Sequence, residues 1–251
     1  MSISKTYFYY KSARKADDKE IKAYLLSLAV EHKRWGFDKM MQKAKSDNKP
    51  WNHKRVYRVY CELKLNIRVK PRKRLPKGEA KALVYPIQPN ICWSMDFMTD
   101  VLCSGQKFRT LNIMDDYNRQ ALLIEPAFNL PSSEVTRLVD KLAMSRGYPK
   151  RIRVDNGPEF TASHFKQWAV NRGVDIVYIQ PGKPAQNGLI ERFNRTFRED
   201  VMDMNWFGSL DEVKRISDTW LEKYNHKRPH ASLQGLSPMQ FANRRKLLQS
   251  N

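Results

Sequence analysis

The sequence has little cysteine and none of the cysteine patterns that stabilise small extracellular domains. Its three cysteines, Cys61, Cys92 and Cys103, are odd in number and form no Cys-x-x-Cys pair. We therefore expect no disulfide framework, and a reducing compartment. The five histidines lack the spacing of metal ligands and have no cysteine pair beside them, so a zinc-binding module is not expected either.

Long apolar runs are also missing. No stretch of about 18 apolar residues occurs, so we expect no membrane-spanning helix. Met1 is followed by polar and charged residues, which is not the pattern of a signal peptide. These absences predict a cytoplasmic protein that has no membrane partner.

Acidic residues are scarce relative to basic ones. The 251 residues include 46 Lys and Arg but only 26 Asp and Glu, so the formal net charge is +20. Residues 1–75 hold 21 of the basic residues and 7 of the acidic ones. A charge of this size indicates a polyanionic partner. Nucleic acid is favoured over a membrane surface, because the basic residues occur beside polar and aromatic ones and do not line one lipid-facing helix.

Three short basic helices are predicted in the N-terminal third. Apolar residues recur at helical spacing in 17–35, in 36–47 and in 52–65, and Asn52 is placed to cap the last helix. This pattern is typical of a helix-turn-helix unit, with a plain helical bundle as the alternative. Basic side chains on the polar side of the last helix are the candidates for contact with DNA: Lys54, Arg55 and Arg58.

From Ile91 onward, the apolar pattern changes from helical to alternating. The predicted order is three strands, a helix, a strand, a helix, a strand and two helices. Three consecutive strands favour an antiparallel meander, and the later alternation favours parallel strands with helical crossovers. We therefore predict an α/β fold with a ribonuclease-H-like mixed five-stranded sheet flanked by helices, preceded by a small all-helical helix-turn-helix domain.

Three carboxylates stand where such a fold brings residues together. Asp96 interrupts an apolar strand, which is unfavourable unless the charge is paired or binds a cation. Asp155 follows a short strand and precedes Asn-Gly, a sharp turn that presents the carboxylate at the strand end. Glu191 lies early on a helix, with 35 residues between it and Asp155. The first and fourth strands of this fold are neighbours, so Asp96 and Asp155 can meet while the later helix points Glu191 at them.

Carboxylates in this arrangement suit magnesium chemistry. Magnesium prefers hard oxygen ligands and keeps positions for water and substrate phosphate. Two such ions about 4 Å apart can clamp the attacking and leaving oxygens of an in-line phosphoryl displacement. We expect two Mg²⁺ ions, for which Mn²⁺ can substitute. The predicted metal ligands, which are also the predicted catalytic residues, are Asp96, Asp155 and Glu191.

Several motifs resemble one protein family. WSMDF, VDNGPEF and NGLIERFNRTFRED, with their 35-residue gap, are similar to the catalytic core of retroviral integrases and bacterial transposases. PGKPAQNGLIERFNRTFRED, YNHKRPHASLQGLSPMQFA and RWGF followed by KRVYRVYCELKL resemble the second-frame product, OrfB, of the IS-three family of insertion sequences. The resemblance covers roughly residues 15–245. The zinc-binding N-terminal module of retroviral integrases is the part without a counterpart here.

The resemblance implies a Mg²⁺-dependent DNA transposase of the bacterial cytoplasm, associated with the nucleoid. Such enzymes nick the 3′ end of the element with water. The freed 3′-OH attacks a phosphodiester near the other end, giving a circular intermediate that later inserts into target DNA. The implied partners are the terminal repeats, target DNA, further copies of this chain on the paired ends, and the upstream-frame product OrfA as partner or fusion. The alternatives are a ribonuclease-H-like nuclease without strand transfer and a DNA-binding regulator with an inactive core.

Side chains around the three acids are predicted to hold DNA. Glu191 shares a helical face with several amide and basic residues. Polar residues of the Gly/Pro loop before that helix are further candidates, because such loops are mobile and carry function. The candidates are Lys183, Gln186, Asn187, Asn194, Arg195 and Arg198. An ion pair with Glu191 is the alternative for Arg195.

Other acids lie near the predicted site. Glu159 is expected to support the site or the fold without binding metal, because its distance from the later Glu breaks the family's spacing. Asp100 shares a strand face with Asp96 and is either a supporting group or part of an exposed strand end. Asp115 and Asp116 fit a turn and are expected to stay solvated.

Four segments are predicted along the chain. The C-terminal segment is expected to pack on the core through Tyr224, Leu233 and Pro238, with Lys227 and Arg228 at its edge as further candidates for DNA contact. The segments are a helix-turn-helix DNA-binding domain in 1–67, a basic linker in 68–88, the ribonuclease-H-like integrase catalytic core in 89–205 and a C-terminal helical extension in 206–251.

Overall fold

The computed structural model describes residues 16–67, 86–180 and 184–249. They fall into two compact units, one within residues 1–73 and one within residues 74–251. Most of the predicted basic linker, and Lys183 in the predicted DNA-binding loop, lie outside the described residues. None of the helices in the described ranges is both long and apolar enough to cross a membrane.

Within residues 16–67, the N-terminal unit forms three helices. They are α1 (Ala16–Glu31), α2 (Phe37–Ser46) and α3 (His53–Glu62). Their apolar sides form one core around Ile21, Leu25, Met40 and Val56, all at most 2% exposed. Asn52 caps α3 as predicted, because its side chain accepts a hydrogen bond of 2.9 Å from the backbone N–H of Lys54. The first helix ends at Glu31, four residues earlier than its apolar pattern predicts.

A mixed five-stranded sheet forms the centre of the second unit. Its strands are β1 (Cys92–Val101), β2 (Lys107–Asp115), β3 (Ala121–Ala127), β4 (Arg151–Val154) and β5 (Asp175–Tyr178). They lie in the order β3-β2-β1-β4-β5, with β1 to β3 antiparallel and β4 and β5 parallel to β1. The predicted meander and the predicted pairing of the first strand with the fourth are both confirmed.

Helices cover both faces of the sheet. They are α4 (Ser132–Arg146), α5 (Pro158–Thr161), α6 (Ser163–Arg172), α7 (Gly188–Asp200), α8 (Leu210–Lys227) and α9 (Pro238–Gln249), with short 3₁₀ helices at Pro184–Asn187, Met202–Met204 and Ala231–Leu233. Apolar residues of α4, α5 and α6 pack on one face, and those of α7 and α8 on the other. The ribonuclease-H-like architecture predicted from the order of elements is confirmed.

Strand alternation decides which side chains of β1 face which helices. Trp93 and Met95 lie in the core beneath α4 and α6. Met98 lies in the core beneath α7 and α8. Because successive side chains of a strand point to opposite faces, Asp96 shares the α7 face with Met98. The strand pattern therefore places an acidic side chain beneath the helix that carries Glu191.

The expectation that Asp115 and Asp116 stay solvated is wrong. Both side chains are fully buried. Asp115 accepts hydrogen bonds from the backbone N–H groups of Asn90 and Tyr117, each 2.9 Å long. Asp116 accepts from the Ser94 hydroxyl and pairs with Arg153, both at 2.6 Å. These partners replace the water that the two carboxylates lose on burial.

The C-terminal segment explains why this turn is buried. Tyr117 contacts the ring of Phe241 on α9, and the side chain of Asn118 donates a 3.5 Å hydrogen bond to the backbone carbonyl of Pro238. Tyr224, Leu233 and Pro238 are buried, as predicted for a packed C-terminal extension. Arg228 is buried in an ion pair with Asp200 at 2.7 Å, while Lys227 is exposed.

Candidate active site

Asp96 is held on β1 by two hydrogen bonds. Its Oδ1 accepts from the backbone N–H of Phe97, and its Oδ2 accepts from the Asn194 side-chain amide on α7, each at 2.8 Å. The side chain is half-buried. Each carboxylate oxygen still has a free lone pair, so the group remains able to bind a cation.

Asp155 lies directly after β4, next to Asp96. Cys92 to Ser94 of β1 pair in parallel with Arg151 to Arg153 of β4, and two more residues of the same register bring Asp155 level with Asp96. The backbone N–H of Gly157 donates to Asp155 Oδ1 at 3.0 Å. A Cβ atom added at Gly157 would lie 3.0 Å from that oxygen, so a larger residue here would press on the Asp155 carboxylate and shift it. The sequence prediction of a sharp turn that presents Asp155 agrees with this geometry.

Glu191 is exposed in the first turn of α7. The helix is anchored by Ile190, Phe193 and Phe197, which are at most 2% exposed. Asn194, one turn after Glu191 on the same side, touches Asp96. The helix therefore directs Glu191 towards the two aspartates while leaving it the freest of the three carboxylates.

The electrostatics of Asp96 reflect these neighbours. The pKa of Asp96 is raised to about 6, chiefly by burial and also by the negative charges of Asp155 and Glu191, while the hydrogen bonds from Phe97 and Asn194 lower it. Within residues 16–67, 86–180 and 184–249, no basic side chain forms an ion pair with any of the three acids. Nearby carboxylates without a basic partner favour the binding of a divalent cation. Carboxylate oxygens are also the ligands that magnesium prefers, so these three side chains are chemically suited to hold it.

The three acids converge without forming a closed cage. In the described part of the chain, no three His, Cys, Asp or Glu side chains are grouped closely enough to enclose a metal ion. Glu191 has the longest and most exposed side chain of the three.

Two amide side chains, Asn112 and Asn194, hold Asp96 through consecutive hydrogen bonds and are called the amide relay below. Asn112 on β2 pairs across the sheet with Asp96, and its side-chain amide donates to Asn194 Oδ1 at 2.7 Å. Asn194 is thereby oriented with its own amide hydrogens towards Asp96. Asn112 is fully buried and Asn194 is 7% exposed. Sequence reasoning missed Asn112, although an amide in the apolar run TLNIM is a signal that could have found it.

Glu159 lies beside Asp155 but has its own partner. Arg109 on β2 forms an ion pair with Glu159, and its guanidinium lies 4.1 Å from the centre of the Phe97 ring. Burial raises the pKa of Glu159, but the hydrogen bond and charge of Arg109, together with the backbone N–H of Glu159 itself, lower it by more, so the net pKa is lowered. Sequence reasoning placed Glu159 in a supporting role but did not identify Arg109.

The candidate DNA contacts near the acids occupy different environments. Arg195 is exposed, and among the described residues it forms no ion pair with Glu191. Arg198 donates to the Thr99 carbonyl at 2.9 Å and to Asp100 at 3.5 Å, which gives Asp100 a partner at the strand end. Gln186 accepts from the Gln180 backbone at 2.9 Å. Asn187 is 3% exposed and its Oδ1 has no hydrogen-bond partner.

The N-terminal candidates are partly engaged within their own unit. Lys54 is exposed. Arg55 and Arg58 each pair with Asp18 on α1 at 3.0 Å, and Arg58 also pairs with Glu62 at 2.6 Å. The two arginines therefore bridge α3 to α1, a structural contribution that sequence spacing did not reveal.

The chain matches two family models of the integrase core domain, over residues 86–184 and 172–238. These matches span the sheet, the three acids and α8. They agree with the motif resemblance read from the sequence.

Known proteins give the same result. A protein of insertion element IS407 from Burkholderia multivorans is 35% identical over 96% of this chain and 87% of its own length. The putative transposase InsK for insertion sequence element IS150 of Escherichia coli K12 is 22% identical over 95% and 89%. A chain of the simian T-cell lymphotropic virus intasome, solved with a PP2A regulatory subunit, has the same fold, with a TM-score of 0.53 and 16% identity over 79% of this chain and 69% of that one. The protein belongs to the family of insertion-element DNA transposases that carry an integrase-type catalytic core.

Proposed function

We propose that Asp96, Asp155 and Glu191 are the catalytic carboxylates and together hold two Mg²⁺ ions, for which Mn²⁺ can substitute. With them, the transposase nicks insertion-sequence ends and joins the freed 3′-OH to a phosphodiester. The observation that carries this proposal is that Asp155 and Glu191 lie near enough to Asp96 for their negative charges to help raise its pKa, while no basic side chain in the described part of the chain pairs with any of the three.

Each carboxylate has a distinct part in this proposal. Asp96, on the central strand and held by two hydrogen bonds, would bind the ions from the sheet. Asp155 binds from the turn that the Gly157 N–H holds in place. Glu191 would complete the set from the first turn of α7. The bound ions would polarise the scissile phosphate and stabilise the attacking and leaving oxygens.

DNA would follow the basic and amide face of α7 towards the acids. Arg195 is exposed and can reach phosphate directly, whereas Arg198 must share its guanidinium with Thr99 and Asp100. The remaining candidates at this site are Lys183, Gln186, Asn187 and Asn194. Since Asn194 is buried against Asp96, we assign it to support of the metal site in addition to any contact with DNA.

The N-terminal unit would provide a second DNA contact through α3. Lys54 is available there, while Arg55 and Arg58 would have to exchange Asp18 for a phosphate. The segments in this proposal are a helix-turn-helix DNA-binding domain in 1–67, a basic linker in 68–88, a catalytic core in 89–205 and a C-terminal helical extension in 206–251.

Transposition also requires that two element ends are held at once. We therefore propose that the chain acts as a homo-oligomer on paired terminal repeats and target DNA, associated with the nucleoid of a bacterial cell. An upstream-frame OrfA product, as partner or fusion, is a further proposed component.

The decisive experiment compares Asp155→Asn with the wild type on labelled DNA that carries the ends of the element. We expect DNA binding to be retained and both nicking and joining to fall by at least about a hundredfold, because the variant loses a charged ligand to the metal. Asp175→Asn is the matched control: Asp175 is exposed on β5, 3.7 Å from Arg151, and its loss should leave activity unchanged.

Three outcomes would contradict the proposal. Near-normal activity of Asp155→Asn would overturn the site assignment. Cleavage of the ends without joined products would indicate a nuclease. Binding without either reaction, for the wild type in Mg²⁺ or Mn²⁺, would indicate a regulator with an inactive core.

A further inference from the structure

A fourth carboxylate lies at the edge of the candidate active site. An atom at the Cβ position of Gly157 would be 3.0 Å from Asp155 Oδ1 and 3.4 Å from Glu159 Oε2. The two carboxylate oxygens are therefore at most 6.4 Å apart, the sum of those distances. Ligand oxygens on one Mg²⁺ ion lie about 3 to 4 Å apart, given metal–oxygen bonds of about 2.1 Å. Glu159 Oε2 would therefore have to move by at most about 3 Å to enter that range.

Arg109 holds Glu159 in its present position and so opposes an approach to Asp155. Its guanidinium binds Glu159 Oε1 and lies over the face of Phe97, 4.1 Å from the ring centre. Phe97 in turn stacks on Phe160, with ring centres 5.0 Å apart. The arginine is thus fixed both by charge and by an aromatic platform between β1 and α5.

The ion pair is shielded from solvent on the acidic side. The Glu159 side chain is 15% exposed and that of Arg109 is 31% exposed. A half-buried carboxylate without a partner would be strongly attracted to any cation nearby, and the nearest cation in the loaded enzyme would be the one at Asp155. The charge of Arg109 removes that driving force.

We propose that Arg109 is a positioning residue that keeps Glu159 out of the metal site, so that Asp155 meets the ions without a competing carboxylate from its own turn. This inference rests on the proposed assignment of Asp96, Asp155 and Glu191 as metal ligands. A fourth carboxylate would occupy coordination positions that water and substrate phosphate need, and it would add negative charge where phosphate must bind. Arg109 thereby sets both the ligand number and the charge of the site.

The test uses three variants of the full chain: Arg109→Met, Glu159→Gln and the double substitution. Met retains the apolar stem on Phe97 but has no charge, and Gln retains the shape of Glu159 without its charge. Mg²⁺ binding is measured by calorimetry without DNA, and strand cleavage is measured on labelled element ends.

Arg109→Met should bind Mg²⁺ more tightly than the wild type, by about threefold to tenfold, while its cleavage rate falls by about tenfold or more. Glu159→Gln should stay within about threefold of the wild type in both measurements, and the double variant should return to that range. In Arg109→Met, tighter Mg²⁺ binding together with slower cleavage would support the proposal. A variant that had only lost structure would bind Mg²⁺ more weakly and would also cleave more slowly.

Two results would overturn the inference. If the double variant is as slow as Arg109→Met while its thermal unfolding matches that of the wild type, Arg109 acts by another route, such as contact with DNA. If Arg109→Met binds Mg²⁺ no more tightly than the wild type, Glu159 is not released to the site. Failure of the proposed function would differ from both, because Asp155→Asn would then bind Mg²⁺ as the wild type does.

Discussion

At the residue scale, Asp96 lies at the candidate active site, in surroundings that disfavour its negative charge. Its carboxylate lies between the apolar residues Met95 and Phe97 of β1, beneath α7 and beside Asp155. The amide relay from Asn112 through Asn194 provides one hydrogen bond but no charge. In the metal-free protein, the ionised form of Asp96 is therefore expected to oppose folding.

The pH dependence of stability follows from that burial. The pKa of Asp96 is raised from 3.8 to about 6, so the folded protein binds the proton more tightly than the unfolded chain. Its stabilising effect is complete below about pH 4 and is lost as the pH rises through about 6. Metal-free Asp96→Asn should therefore be more stable than the wild type at pH 8, by at most about 3 kcal/mol, with the difference reduced to about half at pH 5.

Urea unfolding in EDTA at several pH values measures this difference. Asp175→Asn on exposed β5 is the control and should change the free energy of unfolding by less than about 0.5 kcal/mol at each pH. A constant difference between Asp96→Asn and the wild type from pH 5 to pH 8 would contradict the argument.

At the scale of elements, the side chain of Asn225 on α8 binds the backbone at the start of β3. The Asn225 Oδ1 accepts from the backbone N–H of Ala121 at 2.9 Å, and its Nδ2 donates to the Ala121 carbonyl at 2.8 Å. Ala121 begins β3, where the pairing register with β2 shifts at Ile113 and Met114. Asn225 thus satisfies backbone groups at an irregular strand start, as buried polar groups require.

Asn225→Ala should lower the free energy of unfolding by about 2 to 4 kcal/mol, because two buried backbone groups lose their partners. Chemical denaturation measures the change. Asn171→Ala on α6 is the control, since Asn171 is exposed and only accepts from Gln167, and it should change stability by about 0.5 kcal/mol at most. Equal effects of the two substitutions would show that the contact of α8 with β3 does not depend on Asn225.

At the scale of the whole molecule, the net charge of +20 governs how DNA is approached. The basic excess is concentrated in residues 1–75, whereas the acids that carry the proposed chemistry lie on the second unit. Contacts with phosphate release counterions, so affinity for DNA depends strongly on salt.

Binding to duplex DNA should weaken by about a thousandfold between 50 and 200 mM salt if six or more phosphates are neutralised. Lys54→Ala should reduce the slope of log affinity against log salt by about one unit. Lys141→Ala, an exposed lysine on α4, is the control and should leave the slope unchanged. Fluorescence anisotropy at several salt concentrations gives both slopes, and identical slopes for the two variants would exclude Lys54 from the interface.

The sequence by itself predicted the five strands, most of the helices and the family, and the pairing of β1 with β4 followed from the fold class that this order indicates. It did not predict the separate helices α5 and α9. The signals for the predicted features are local: the period of the apolar residues, turn residues such as Gly157, and the 35-residue spacing before Glu191.

Only the tertiary structure decided which polar side chains meet. Asn112 and Asn194 are 82 positions apart, and Arg109 and Glu159 are 50 apart. Asp115 and Asp116 looked like solvated turn residues because the segment that covers them, around Pro238 and Phe241, comes more than a hundred residues later. Local sequence specifies which groups a residue offers, but burial and hydrogen-bond partners depend on elements that only folding brings together.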